Sequence, residues 1–209
     1  MWIVKLGGSL HEAPSLRARL TEIATVPGPA RIVVPGGGPF ADTVRALQPR
    51  LGVDDLAAHR MAILAMQQYG IALHSLEPRL DLAQTEAELR RAHAVVWLPW
   101  LLAGLEPAIR ASWDVTSDSL AAWLAARLGA ETLVLVKSAA VAAGEASATE
   151  LAESGLVDAA FPAYAAAFGG TIRVVHRDTA FPGGPYLRVL ASSSSDSGSS
   201  ASTTSRAAR

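Results

Sequence analysis

Cysteine is absent from the chain, which excludes disulfides, thiolate metal sites and cysteine nucleophiles. Lysine is almost as scarce: Lys5 and Lys137 are the only two. The formal net charge is −1, with no lysine- or arginine-rich stripe, so the electrostatic footprint of general nucleic-acid binding is missing. No apolar run reaches the ~18 residues of a membrane-spanning helix. Met1 leads straight into the strand-like Trp2-Ile3-Val4-Lys5-Leu6, without the pattern of a signal peptide. The expectation is a soluble cytoplasmic protein that engages neither nucleic acid nor membrane.

What the chain does have is apolar bulk. Half of its 209 residues are hydrophobic and 18% are charged, a balance that suits one compact α/β domain with a well-covered sheet. Residues 2–6 and 31–35 read as short buried strands bounded by glycine and proline. Between them Leu16, Leu20 and Ile23 fall at helical spacing, and Pro27-Gly28-Pro29 ends that helix. Strand, helix and strand within ~35 residues make a parallel βαβ unit. Further helices are expected over 40–47, over 54–69 with Gly70 closing it, and over 119–128 with Ser117 as N-cap and Gly129 as stop. Strands are expected at 94–98, 132–136, 172–176 and, less regularly, 186–190. The alanine-rich stretch 149–168 reads as helical, interrupted or restarted at Pro162. The 54–69 helix is apolar and small-residued on several sides, which suggests a subunit interface and an isologous homodimer. The domain is expected to span 1–191. Residues 192–209 are serine-rich with no apolar period, and are expected to be a disordered tail.

Three segments carry chemistry. Lys5-Leu6-Gly7-Gly8-Ser9 puts an ammonium at a strand end beside two glycines, where backbone N–H groups can receive phosphate oxygens. Pro35-Gly36-Gly37-Gly38-Pro39 follows the second strand. Three consecutive glycines suit a loop that a ligand or another backbone approaches closely. The helix that follows turns its positive end to the same place, with Arg45 about one turn further in. Trp113-Asp114-Val115-Thr116-Ser117-Asp118-Ser119 then opens a helix with two aspartates four residues apart. Lys137 closes a strand at the edge where parallel sheets bind ligands. A P-loop is ruled out by spacing, because G-x-x-x-x-G-K-[ST] does not occur. His59 is a lone histidine on a helix with no second ligand at metal spacing, so it reads as structural and no metal site is expected. Taken together, the glycine loops, lysines and aspartates point to phosphoryl transfer.

In their order these segments resemble the amino acid kinase superfamily, over roughly residues 2–140. Within it, Asp55-Leu56-Ala57-Ala58-His59-Arg60-Met61-Ala62-Ile63-Leu64-Ala65-Met66 and the 113–119 segment are most similar to the [5-(aminomethyl)furan-3-yl]methyl phosphate kinase branch of methanofuran biosynthesis and its bacterial homologues. The resemblance implies a three-layer sandwich with a mainly parallel central sheet, ATP with Mg²⁺, and a small-molecule acceptor that already carries a phosphate. It also implies site roles. Lys5, Gly7, Gly8 and Ser9 would hold the transferring phosphates, while Gly36, Gly37 and Gly38, with Arg45, would hold the acceptor. Asp118 would orient the catalytic lysine, Asp114 would contact the acceptor, and Lys137 would help with nucleotide charge. Two features depart from the superfamily: no lysine follows Lys137, and Ser138-Ala139-Ala140-Val141-Ala142-Ala143-Gly144 lacks the usual aspartate-glycine turn. The expected activity is therefore a kinase for a phosphate monoester. The alternatives are a kinase for UMP or isopentenyl phosphate, or a diverged non-catalytic nucleotide or oxyanion binder.

Overall fold

The computed structural model describes residues 1–190; the expected tail at 192–209 lies outside them. The strands are β1 (Trp2–Leu6), β2 (Arg31–Pro35), β3 (Asp81–Ala83), β4 (Ala94–Trp97), β5 (Thr132–Lys137), β6 (Gly144–Ser147), β7 (Thr171–His176) and β8 (Leu187–Leu190). They form one sheet in the order β3-β4-β2-β1-β5-β7-β8-β6. The first six in that order run parallel, β8 is antiparallel to β7, and β6 is parallel to β8. All the parallel strands thus end at one edge, which is where the glycine loops sit.

The helices are α1 (Leu16–Thr25), α2 (Gly38–Leu51), α3 (Asp55–Leu76), α4 (Glu86–Arg91), α5 (Trp100–Ala103), α6 (Ser117–Leu128), α7 (Ala148–Glu153) and α8 (Phe161–Phe168), with a 3-10 turn at Gly8–Glu12. Alternation along the central strands divides the core in two. Ile3, Leu133, Leu135 and Val174 face a cluster with Leu120 and Leu124 of α6 and Phe161 of α8. Val4, Leu6, Val134 and Val136 face Leu16, Leu20 and Ile23 of α1 and Tyr69 and Leu73 of α3. Helices therefore cover both faces, and the expected three-layer α/β sandwich is what the chain adopts.

Several boundaries differ from expectation for local physical reasons. Gly70 does not close α3, which continues to Leu76. A Cβ at Gly70 would lie 3.0–3.4 Å from Leu98, Val96 and Pro35, so this glycine lets the helix pack tightly on β2 and β4. The 149–168 stretch is two helices. Gly155, with φ of +72°, ends the first region, and Pro162 sits in the first turn of α8, where its missing N–H costs nothing. Ser117 is the first residue of α6 and Thr116 holds the N-cap position, with no cap from its own side chain. The pattern also hid β3, β6 and α4. The first is three residues long, the second is largely exposed, and α4 is a short helix held by a Thr85–Glu88 capping box.

Candidate active site

Both lysines of the chain converge on one carboxylate. Lys5 and Lys137 leave β1 and β5 on the same face as Ile3 and Leu135, and that face looks onto the amino end of α6. There Lys5 Nζ lies 2.8 Å from Asp118 Oδ1, and Lys137 Nζ donates to Asp118 Oδ2 at 2.7 Å. Lys5 and Asp118 are about 5% exposed, and Lys137 is nearly as enclosed. Burial opposes the charge on Asp118, but the two ammonium groups outweigh it and hold the carboxyl below the ordinary aspartate range. Burial, reinforced by repulsion from Lys5, pushes Lys137 down to about 8 against the pull of Asp118. The cluster carries one net positive charge. Each ammonium has three N–H donors; Lys137 spends one on Asp118, Lys5 meets the other carboxylate oxygen as an ion pair, and neither has a further protein partner among the described residues.

The amino end of α6 is capped from a distance. Asp158, between α7 and α8, accepts from Thr116 N at 3.0 Å, Thr116 Oγ1 at 2.8 Å and Ser119 N at 3.0 Å, and from Ser119 Oγ. It fixes the turn that aims Asp118 at the lysines. Sequence reasoning missed this residue, because it falls in the 149–168 stretch, which reads as helical up to an interruption at Pro162.

The glycines separate into two kinds. A Cβ at Gly8 would collide with the backbone of Gly38, and one at Gly36 with the backbone of Gly8. The two loops press together, so here glycine is required by backbone against backbone. The Gly7 amide donates to Val136 O and the Gly36 amide to Leu6 O, which leaves those two N–H groups engaged. Gly8 opens the 3-10 turn and Gly37 caps α2, so their amides are among the orphan donors of a helix start. Ser9 Oγ sits 2.9 Å from Ser138 Oγ, joining the end of β1 to the end of β5.

Beside these loops lies a cavity of about 350 Å³. Gly8, Ser9, Gly37, Gly38 and Arg45 line it, as do Asp42, Asp55, His59, Met66 and Trp113. Arg45 lies over the Trp113 ring, 4.4 Å from its centroid. Trp113 Nε1 donates to Gln48 Oε1 at 2.6 Å, and Gln48 Nε2 donates to Asp55 Oδ1 at 2.8 Å. Of the expected site residues, Gly7 and Gly36 are not in the cavity wall, and neither are Lys5, Asp118 and Lys137, although Thr116 and Ser117 next to Asp118 are. Asp114 is outside the wall too: it forms an exposed pair with Arg110 at 2.6 Å, and its carbonyl receives Ala160 N at the start of α8. His59, which reads as structural in the sequence, is in the wall.

A profile described as "Amino acid kinase family" matches residues 1–143, more than half of the chain. The chain belongs to the amino acid kinase family. It is 27% identical over 139 residues to the [5-(aminomethyl)furan-3-yl]methyl phosphate kinase of Methanocaldococcus jannaschii, a match covering 65% of this chain and 64% of that relative. The chain thus matches a little under two thirds of the relative's length. In fold it is similar to the uridylate kinase of Archaeoglobus fulgidus, with TM-score 0.66 and 17% identity over 90% of this chain and 99% of that one. The UMP kinase of Bacillus anthracis has TM-score 0.66 and 12% identity over 92% and 96%. The aspartate kinase of Synechocystis gives 0.61 and 17% over 91% and 40%. These solved structures establish the sandwich. No described helix is long and apolar enough to cross a membrane.

Proposed function

We propose that this family member transfers the γ-phosphoryl group of ATP to a phosphate monoester, and that the monoester is an aminomethylfuran phosphate. The observation that carries the reading is the convergence of Lys5 and Lys137 on Asp118 at the sheet edge. An oxygen of the acceptor phosphate, ionised near neutral pH, attacks the γ-phosphorus. The bond from that phosphorus to the ADP oxygen breaks, and ADP leaves with the electron pair. No general base is needed, so the protein supplies position and positive charge. Lys5 and Lys137 stabilise the transferring group, Asp118 holds both in place, and the amides of Gly8 and Gly37 receive phosphate oxygens. Ser9 stands at the nucleotide side of this set, and Arg45 stands in the acceptor cavity.

The Mg²⁺ that accompanies ATP finds no cluster of three or more carboxylate or histidine ligands among the described residues. Both Asp118 oxygens already meet ammonium groups. The ion is therefore expected to enter with the nucleotide, held by phosphate oxygens and water. Passive nucleotide binding is the rival reading, drawn from the absence of lysine beyond residue 137. The second ammonium that Lys137 places on Asp118 supports turnover instead. A homodimer through the outer side of α3, where Leu56, Leu64 and Ile71 are exposed, completes the proposal.

The test is an acceptor panel with purified protein, ATP and Mg²⁺, comparing the aminomethylfuran phosphate with UMP and isopentenyl phosphate. ADP release with the furan alone is the expected result. Preference for UMP would replace the acceptor. Thermal stabilisation by ATP without ADP release for any acceptor would favour the binder.

A further inference from the structure

One face of α3 runs the length of the acceptor cavity. Asp55, His59, Ala62, Ile63 and Met66 all line it, at the spacing of successive turns on one side of a helix. At the other end of the cavity-lining stretch, Tyr69 abuts Gly38, with its ring 3.9 Å from where a Gly38 Cβ would stand. His59 lies ten residues before Tyr69, about 15 Å of helix rise away. The cavity therefore has a glycine end at Gly8 and Gly38 and a distal end at Asp55 and His59.

The chemistry of the two ends is opposite. His59 is nine-tenths buried and makes no hydrogen bond with the protein among the described residues. Its ring stands in the wall of this cavity and of a second one beside residues 103–111. Burial, with help from the Arg60 charge, lowers its pKa, so the imidazole is neutral and keeps a nitrogen lone pair for a donor. Asp55 is fixed through Oδ1 by the Gln48–Trp113 relay, which leaves Oδ2 open. Asp42 lines the same cavity, and no arginine, lysine or histidine pairs with Asp42 or Asp55 among the described residues. Of the nearby cations, Arg45 lies over Trp113, and Arg60, whose charge reaches His59, is itself exposed. Asp42 and Asp55 are exposed while His59 is buried; carboxylates without a cationic partner beside an unpartnered neutral imidazole favour an ammonium over an anion.

We infer that Asp55 and His59 are specificity residues that select an acceptor bearing an ammonium at the end remote from its phosphate. The inference rests on the cavity being the site of a phosphate-bearing acceptor. The phosphate lies toward Gly8 and Gly38, the ammonium donates to Asp55 Oδ2 and a ring nitrogen of His59, and Trp113 walls the ring between them. This would set the site apart from one for UMP or isopentenyl phosphate, neither of which carries a cationic group.

Calorimetry without nucleotide separates this from the kinase question. The probes are [5-(aminomethyl)furan-3-yl]methyl phosphate and its counterpart with a hydroxymethyl group in place of the aminomethyl. Wild-type protein should bind the amine about 30-fold more tightly, the scale of a charge-assisted hydrogen bond. Asp55→Asn should reduce that ratio to below about threefold. His59→Leu should reduce it about tenfold, and His59→Gln, which keeps an acceptor, should recover most of it. A thermal melt on each variant reports folding, and because the readout is a ratio within one variant, partial destabilisation cancels. Equal binding of both probes to wild type, or a ratio preserved in Asp55→Asn, overturns the inference alone. Failure of both probes to bind overturns it together with the acceptor reading beneath it.

Discussion

Two buried carboxylates in this molecule are each gripped by cationic side chains, and they do different things. Glu77, at the carboxyl end of α3, accepts from Arg79 Nε at 2.7 Å, Arg79 Nη2 at 2.6 Å, Arg79 N at 3.2 Å and Thr21 Oγ1 at 2.7 Å. Its oxygens are saturated by a planar fork that is itself mostly solvent-exposed, and the cluster ties α3 to α1. Asp118 is met by two ammonium groups that are buried along with it and that keep most of their donors unspent. The first arrangement closes on itself. The second leaves donors over, which is what the proposed phosphoryl transfer would use. A buried ion pair is weak evidence for stability; one that leaves donors unpartnered at a sheet edge is better evidence for a site.

The most severe way to sharpen the contrast is Asp118→Asn. It leaves two buried ammonium groups facing each other without a counter-charge, and should cost about 3–5 kcal/mol of stability as well as activity. Urea unfolding measures the first and ADP release the second. A variant with wild-type stability would mean that the lysines are adequately solvated without Asp118. Lys5→Ala comes next. On the proposed role, turnover should fall about 10²–10³-fold, while the melting temperature changes little because Lys137 still pairs with Asp118. Wild-type turnover would remove Lys5 from the reaction.

Lys137→Ala should cost about 2–4 kcal/mol of transition-state stabilisation, and it carries a pH signature. With its pKa lowered to about 8, Lys137 loses its charge as the pH rises through 8, so wild-type kcat should decline on that limb. The linked effect on stability has the opposite sign. The penalty of burying the charged form is fully present below pH 8 and is relieved as the pH climbs from 8 toward the unfolded value near 10.5. Lys137→Arg stays charged and should lose the alkaline limb, yet it should recover little activity, because a planar guanidinium does not replace a compact ammonium. A kcat flat to pH 9.5 in the wild type would place Lys137 outside the rate-limiting step.

The sequence made the Asp118 cluster partly legible and the Glu77 cluster not at all. Lys5 and Lys137 stand out because they are the only lysines and both end strands of a parallel sheet. The central strands are continuous apolar runs, which is why β1, β2, β4, β5 and β7 can be read almost to the residue. What cannot be read is anything that depends on a partner far along the chain. Asp158 caps α6 from 39–42 residues away, and it sits in the part of the 149–168 stretch that reads as helix ahead of Pro162. The role of Gly8 and Gly36 as mutual contacts depends on two loops meeting, so the residue type is visible in sequence and its cause is not. His59 reads as structural because a lone histidine has no periodic partner; only the fold sets it in a cavity wall. Asp114 shows the converse, a residue prominent in its motif whose side chain pairs on the surface.

The smallest expected effect tests the other half of the comparison. If Glu77 is purely structural, Glu77→Gln should leave kcat and KM unchanged while lowering stability by about 1–2 kcal/mol. That is modest because Arg79 is more than half exposed and solvent screens its charge. The pH dependence gives the sharper reading. Hydrogen bonds from Arg79 and then Thr21 lower the Glu77 pKa to about 2, so its contribution is present above the unfolded value of about 4.5 and is lost as the pH falls toward 2. Wild-type protein should therefore lose stability across that window more steeply than Glu77→Gln, and the two unfolding free energies should converge near pH 2. Parallel curves from pH 6 to pH 2 would show that the α1–α3 contact holds without the charge. A drop in turnover with unchanged stability would mean that Glu77 acts on the site through α3, and the division between a closed cluster and an open one would fail.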